Sequence, residues 1–275
     1  MLAARVHIRL ADLEIFYMNS TEMFSLQDKV AVVVGGGGVL AGEMALGLAH
    51  AGAKVAILDI NFEAAEARAL SICKKGRRAI PIKTDVAHKS DLEHALETTL
   101  ANFGSVDILL NAAGINSATP FFEITEEEWD RILDVDLRSV FLACQVFGKQ
   151  MVDAGKGGSI INISSASSGP PLSKVFTYSV AKAGVNQITQ FLAREFAPYK
   201  IRVNAILPGF FPAEQNRKVL TEDRTAQILG HTPMARFGEA GELVGAAIYL
   251  ASEAASSFVT GSILRVDGGF TSVSI

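Results

Sequence analysis

Cysteine, tryptophan and clustered histidine are nearly missing from this chain. Two cysteines, Cys73 and Cys144, stand far apart in 275 residues, which excludes a disulfide scaffold and fits reduced thiols in a cytoplasmic protein. Five histidines (His7, His50, His88, His94 and His231) form no H-x-x-x-H or Cys/His group, so no metal site is expected. No apolar run approaches the roughly eighteen residues of a membrane span, and no membrane partner is expected. A basic tract is missing too: the net charge is −4, without the electrostatic footprint of a nucleic-acid binder. The opening stretch MLAARVHIRLADLEIFYMNSTEMFSLQDK breaks its apolar residues with Arg5, Arg9, Asp12 and Glu14. A secretory signal needs an unbroken apolar stretch and a small-residue cleavage site. Residues 1–25 therefore read as an N-terminal extension, disordered or partly helical, ahead of one domain over 26–275.

What is present is apolar and regularly spaced. Hydrophobic residues make up 49% of the chain, enough for one large core. From Lys29 onward, strand-like runs at 29–34, 54–59, 78–83, 106–111, 158–164, 201–207 and 262–267 alternate with helical periodicity at 40–52, 62–75, 89–103, 125–152, 177–197 and 239–252. Most of the runs are continuously apolar, as strands covered on both faces must be. Alternating strand and helix of this kind predicts an α/β fold, a doubly wound parallel sheet of about seven strands with helices on both faces. No linker or low-complexity segment divides it.

Four consecutive glycines in VVVGGGGVLAGEMA, Val32 to Ala45, sit where the first strand gives way to the first long helix, and Asp59 ends the next strand 24 residues after Gly35. Glycine permits backbone conformations closed to other residues and lets the main chain approach a pyrophosphate, which a helix N-terminus attracts. An acidic residue ending the second strand accepts hydrogen bonds from both ribose hydroxyls and repels a 2′-phosphate. That pattern is a dinucleotide-binding βαβ unit, and Asp59 points to NAD rather than NADP. A strand-to-helix turn without a ligand is the bland alternative, and the residues further along the chain weigh against it.

YSVAK places Tyr178 and Lys182 four residues apart on one helix face. A phenol with an ordinary pKa of about 10 is a poor acid–base catalyst at neutral pH. An ammonium group beside it favours the phenolate. Ser164 and Ser165 close the strand run INISS, and Ser165 lies 13 residues before Tyr178. A hydroxyl at a strand end can polarise a carbonyl for hydride attack. Y-x-x-x-K alone is often a surface pair; the strand-end serines and the upstream nucleotide unit give it weight.

In the order and spacing of these motifs, the chain from about Leu26 onward resembles the short-chain dehydrogenase/reductase family, with its Rossmann-type fold. The family's T-G-x-x-x-G-I-G falls on Val34, Gly35, Gly36, Gly37, Gly38, Val39, Leu40 and Ala41, so the second and third glycines are Val39 and Ala41. TDV (Thr84, Asp85, Val86) stands where the family sets an aspartate against adenine. NAAG (Asn111, Ala112, Ala113, Gly114) matches its N-N-A-G, and LPGF (Leu207, Pro208, Gly209, Phe210) its P-G turn beside the nicotinamide. The resemblance implies an NAD-dependent oxidoreductase of an alcohol or ketone, commonly a homotetramer. Tyr178 would be the general acid/base, Lys182 would bind the nicotinamide ribose, and Ser165 would orient the substrate. The turn residues Gly35, Gly37, Gly38, Val39 and Leu40 would line the cofactor with Asp59. Two family positions differ: the asparagine that kinks a helix and holds a relay water is Asp136, and a carboxamide-binding threonine is Ala213.

Substrate choice is expected from 209–238, where Phe210, Gln215 and Arg217 are the candidates beside Ser165; a planar guanidinium suits a carboxylate. The wording PGFF…EQNR, HTPMARFGE and SSFVTG…VDGGF is similar to short-chain-type D-mannonate oxidoreductases (fructuronate reductases), with gluconate 5-dehydrogenase-like enzymes sharing the pattern. INSATPFFEITEEEW, after NAAG, lacks an insertion associated with the mannonate enzymes. A sugar acid or polyol is thus the expected substrate. A catalytically weak NAD-binding sensor or scaffold, or a reductase of 3-oxoacyl thioesters, stays open at this point.

Overall fold

Seven apolar runs become seven parallel strands: β1 Val30–Val34, β2 Lys54–Asp59, β3 Ala79–Lys83, β4 Ile108–Asn111, β5 Gly158–Ile163, β6 Ile201–Pro208 and β7 Ile263–Val266. The structure is a computed structural model and describes residues 19–169, 172–212 and 221–273. Strand order is β3-β2-β1-β4-β5-β6-β7, parallel at every pairing. Side chains alternate between the faces of a strand, and both faces here are covered. Ala31 and Val33 of β1 point into one core, Val32 and Val34 into the other. Fully burying one such side chain contributes about 1.5–3 kcal/mol, which is why the strands read as continuous apolar runs.

The helices divide between the faces. α1 (Ser20–Met23) precedes the sheet. It is tied down where the Ser252 hydroxyl donates to the Met23 carbonyl at 2.6 Å, and Leu26 just beyond is buried. From Asn19 to Ser25 the expected extension carries this short helix, buries none of the helix residues, and is joined to the domain by that one hydrogen bond among the described residues. α2 (Val39–His50) and α3 (Phe62–Lys74) cover one face; α4 (Lys89–Phe103) covers the other. Asn61 caps α3 by accepting from the Ala64 amide, and Gly104 ends α4 at φ 84°.

The segment expected as one helix over 125–152 is three pieces: α5 (Glu126–Leu133), a π-helical turn Asp134–Arg138, and α6 (Ser139–Ala154). α7 (Phe176–Phe196) runs beside α6 on the same face. Inside the stretch read as a substrate loop lies α8 (Glu222–His231), capped by Thr221. α9 (Val244–Ala251) then follows a 3₁₀ turn at Ala240–Leu243, so that the expected helix over 239–252 changes its winding partway.

The strand order reverses between β1 and β4, which opens a crevice at their carboxyl ends, the usual ligand position in such sheets. Asp59, Thr84, Asn111, Ser164 and Gly209 all lie at or just past carboxyl ends of strands. One edge of the sheet thus collects the strand-end motifs that the sequence singled out, with Tyr178 and Lys182 on α7.

Candidate active site

The glycine turn is shaped by contacts that only glycine tolerates. Gly35 has φ 73°, and a Cβ there would lie 2.7 Å from backbone atoms of Ala113 in the β4 loop. The turns after β1 and β4 therefore press together at the crevice. Gly36 is buried against Ile57, and a Cβ on Gly37 would meet Asp59 Oδ2 at 2.9 Å. Gly38 starts α2 with no side-chain cap, and Gly38 and Val39 are exposed. No side chain caps the first amides of α2, as anion binding at a helix N-terminus requires. Val39, in place of the family's second glycine, stands outward; Ala41, in place of the third, fits its methyl into the core.

Asp59 is held by this turn. Its Oδ2 accepts from the Gly37 amide at 3.0 Å and its Oδ1 from the Asn61 amide at 2.9 Å. Each carboxylate oxygen retains lone-pair capacity, and the residue is half-buried rather than sealed. A cradle of bare glycine backbone, an uncapped helix start and an acidic strand end fit a dinucleotide. Asp85 accepts from the Ala87 amide at 3.0 Å and sits 3.2 Å from His88 Nδ1, with Val86 buried beside it.

Asn111 behaves differently from the rest of the expected cofactor set. Its side chain is buried and donates to Asn162 Oδ1 at 2.9 Å, and Asn162 donates to Thr189 Oγ1 at 2.9 Å. This polar chain links β4, β5 and α7 beneath the site, so the Asn111 side chain positions the loop of Ala112, Ala113 and Gly114. Cys144, 3.6 Å from the Asn111 amide nitrogen, has its thiol pushed up to about 12 by burial and is no nucleophile.

Ser165 and Ser164 part company just past β5. Ser164 is buried and bonds inward, its hydroxyl 3.2 Å from Ser168 Oγ and 3.4 Å from the Lys182 carbonyl. Ser165 is half-buried and starts the turn Ala166–Ser168, its Oγ accepting from the Ser167 amide at 3.2 Å. Asn186 braces that turn by donating to Ser168 Oγ at 2.9 Å, while Ser168 donates to the Ser165 carbonyl at 2.6 Å. Asn186 and Thr189 belong to none of the sequence motifs. They continue the Tyr178–Lys182 stripe at helical spacing, a polar row on a helix face that otherwise should be apolar.

Lys182 is sealed in the interior, 3% exposed. Its ammonium donates to the Ile163 carbonyl at 3.2 Å, stands 5.4 Å from the centroid of the Tyr178 ring and lies 3.3 Å from Asp136 Oδ1. Asp136 Oδ2 accepts from the Ile115 amide at 2.9 Å. Oδ1 is buried without a well-aligned hydrogen bond, so its contact with Lys182 is chiefly Coulombic. Burial pushes the Asp136 carboxyl above the ordinary carboxylate value, and the Lys182 cation and the Ile115 amide hold that rise back. The structure thus brings Ser165, Tyr178, Lys182 and Asp136 to one end of β5 and α7.

At the end of β6, Pro208 pairs with Val266, and a Cβ on Gly209 would lie 2.7 Å from the Asp267 Cα. Phe210 stacks edge-on against Phe270 at 5.0 Å, in a small apolar cluster that includes Ala166 beside Ser165. Gln215, Arg217 and Ala213 lie outside the described residues. Among the described residues no three His, Cys, Asp or Glu side chains gather as a metal site would need, and no helix is long and apolar enough to cross a membrane.

Known proteins share this fold. A family model described as enoyl-(acyl carrier protein) reductase matches residues 38–271. The chain is 37% identical over 250 residues to 5-keto-D-gluconate 5-reductase of Escherichia coli K12, covering 90% of this chain and 97% of the relative. A structure from Haemophilus influenza with bound NAD, provisionally assigned as a D-mannonate oxidoreductase, superposes with a TM-score of 0.88 at 37% identity, over 93% of this chain and 99% of that one. A gluconate 5-dehydrogenase from Burkholderia cenocepacia J2315, in complex with NADP and tartrate, gives 0.88 at 35% identity, over 93% of this chain and 100% of that one. With the glycine cradle, the acidic strand end and the Ser–Tyr–Lys cluster in place, the chain belongs to the short-chain dehydrogenase/reductase family, enzymes that move a hydride between a nicotinamide cofactor and an alcohol or ketone.

Proposed function

We propose that the protein is an NAD-dependent oxidoreductase that interconverts a secondary alcohol and a ketone on a sugar acid of the gluconate or mannonate kind. The observation that carries this reading is the Ser165–Tyr178–Lys182 cluster at the same sheet edge as the glycine turn and Asp59. The relatives' own names support the substrate class, and Asp59 supports NAD, since a 2′-phosphate would meet its negative charge.

When bound, the nicotinamide supplies or accepts the hydride. The chain's own residues handle the proton and the orientation. Tyr178 gives its hydroxyl proton to the nascent alkoxide in reduction, or takes the alcohol proton in oxidation. Lys182, 5.4 Å from the ring centroid, would hold the nicotinamide ribose, and Ser165 Oγ donates to the substrate oxygen. Phe210 and Phe270 form an apolar wall beside Ser165. Exposed Phe176, Val180 and Phe191 lie along one face of α7 and support self-association, which we take to be the tetramer common in the family.

The test is cofactor reduction with a panel of gluconate, mannonate, neutral polyols and a 3-hydroxyacyl thioester. Turnover of a sugar acid is expected, and Tyr178→Phe should lower kcat about 10²–10⁴-fold while NAD binding persists. Turnover of the thioester alone would overturn the substrate class. Near-normal turnover by the phenylalanine variant would remove Tyr178 from the mechanism.

A further inference from the structure

We infer that Asp136 is a positioning residue that holds Lys182 in a buried ion pair, so that Tyr178 keeps its proton to a higher pH than a lone lysine cation would allow. The inference rests on the reading of Tyr178 as the acid/base group. It goes beyond that reading by assigning this chain's own aspartate the task of setting when the phenol ionises.

Three features of the structure carry it. First, the pair is sealed: Asp136 is 0% exposed and Lys182 3%, so water screens their interaction little. Second, the carboxylate is oriented. The Ile115 amide anchors Oδ2 at 2.9 Å, which leaves Oδ1 facing the ammonium at 3.3 Å. The π-helical turn Asp134–Arg138 puts Asp136 in this place, with an extra residue that a regular helix would not hold. Third, the room for the pair exists because residue 114 is glycine. A Cβ there would lie 2.6 Å from Asp136 Oδ1 and 3.4 Å from Lys182 Nζ.

The consequence follows from charge. An ammonium 5.4 Å from the ring centroid stabilises the phenolate and lowers the pH at which the proton leaves. A carboxylate in contact with that ammonium cancels part of its field wherever the field is felt, the phenol included. Of the groups in contact with Lys182 among the described residues, only Asp136 from the π turn and Tyr178 from the preceding turn of α7 titrate. The Ile163 carbonyl at the end of β5 and Gly114 from the β4 loop carry no charge. An asparagine at 136 would keep the shape and remove the charge.

The experiment compares the parent with Asp136→Asn. Ionisation of Tyr178 is followed by phenolate absorbance, as the difference from the same protein carrying Tyr178→Phe, and needs no substrate. The apparent pKa should fall by about one unit in the asparagine variant, and the acid limb of kcat/KM for alcohol oxidation should move down with it. A phenolate titration that stays in place, whether or not the variant turns over, overturns the inference. If the asparagine variant does not fold, Asp136→Ser carries the same titration. A parent protein that oxidises no alcohol would count against the proposed function alone, because the titration stands without turnover.

Discussion

Asp59 and Asp136, both in the proposed site, have opposite surroundings. Asp59 is half-buried and held by two backbone amides, those of Gly37 and Asn61, and no cation pairs with it among the described residues. Asp136 is fully buried and spends its charge on Lys182. A carboxylate fixed by neutral amides at an open strand end retains lone pairs and charge for a ligand. One sealed against a cation has its charge answered inside the protein. The residue type is the same, and the neighbours decide whether its charge stays open or is balanced.

The largest effect that would test this contrast is expected from Asp59→Ser. Losing a charge-assisted hydrogen-bond acceptor costs about 1.5–3 kcal/mol. NAD affinity should therefore fall roughly ten- to a hundredfold, while NADP loses far less and the preference narrows. The pH dependence set by Tyr178 should stay where it is. Dissociation constants for both cofactors, read from cofactor fluorescence, check the point. A parent protein that binds NADP more tightly than NAD would sink the assignment of Asp59.

A smaller effect is expected from Gly37→Ala. The added methyl would lie 2.9 Å from both Asp59 Oδ2 and the Ala64 side chain, and the carboxylate is the movable partner. Displacing it should weaken the proposed ribose contact without removing the charge, for a loss of about 1 kcal/mol, or roughly fivefold in NAD affinity. An unchanged affinity would mean that the bond from the Gly37 amide does not place Asp59 for the ligand.

Why one aspartate was readable from the sequence and the other only in part comes down to range. Asp59 belongs to a local unit of strand, glycine turn, helix and strand, whose spacing is fixed by the lengths of its elements. The interior strands emerged where expected because residues buried on both faces leave a continuous apolar run, while the edge strands β3 and β7 are mostly half-buried. Tyr178 and Lys182 are one helical turn apart. Asp136 was visible as an unusual residue, but its ion pair depends on a π turn that leaves no mark in the apolar periodicity of 125–152, and on space left by Gly114. The Asn186–Ser168–Ser165 brace joins an α7 residue to a strand-end turn, and no local pattern announces it. Phe210 meets Phe270 only because β6 and β7 are neighbours. α8 did carry local signals, the Thr221 cap and the acidic pair Glu222 and Asp223, inside a stretch that read as a loop.

The smallest expected effect uses a third carboxylate, in which burial is removed from the comparison. Glu242 accepts from Arg236 through both oxygens, at 2.7 and 2.8 Å, and also from the Glu239 amide at 2.8 Å. Like Asp136 it faces a cation, but both partners stand in water. The hydrogen bonds from Arg236 and the Glu239 amide, with little desolvation against them, hold its carboxyl well below the ordinary 4.5, at about 2. Asp136 is displaced the other way because desolvation outweighs its partners. A carboxyl lowered on folding adds stability that is complete above its unfolded value and fades as the pH falls through its folded value. The parent should therefore melt above Glu242→Gln by a steady margin at neutral pH, and the margin should shrink as the pH drops from 4.5 toward about 2. Added salt should shrink it as well, since exposed charges are screened. A margin that ignores both pH and salt would make Glu242 a packing residue, and would leave burial untested as the reason the two pairs titrate in opposite directions.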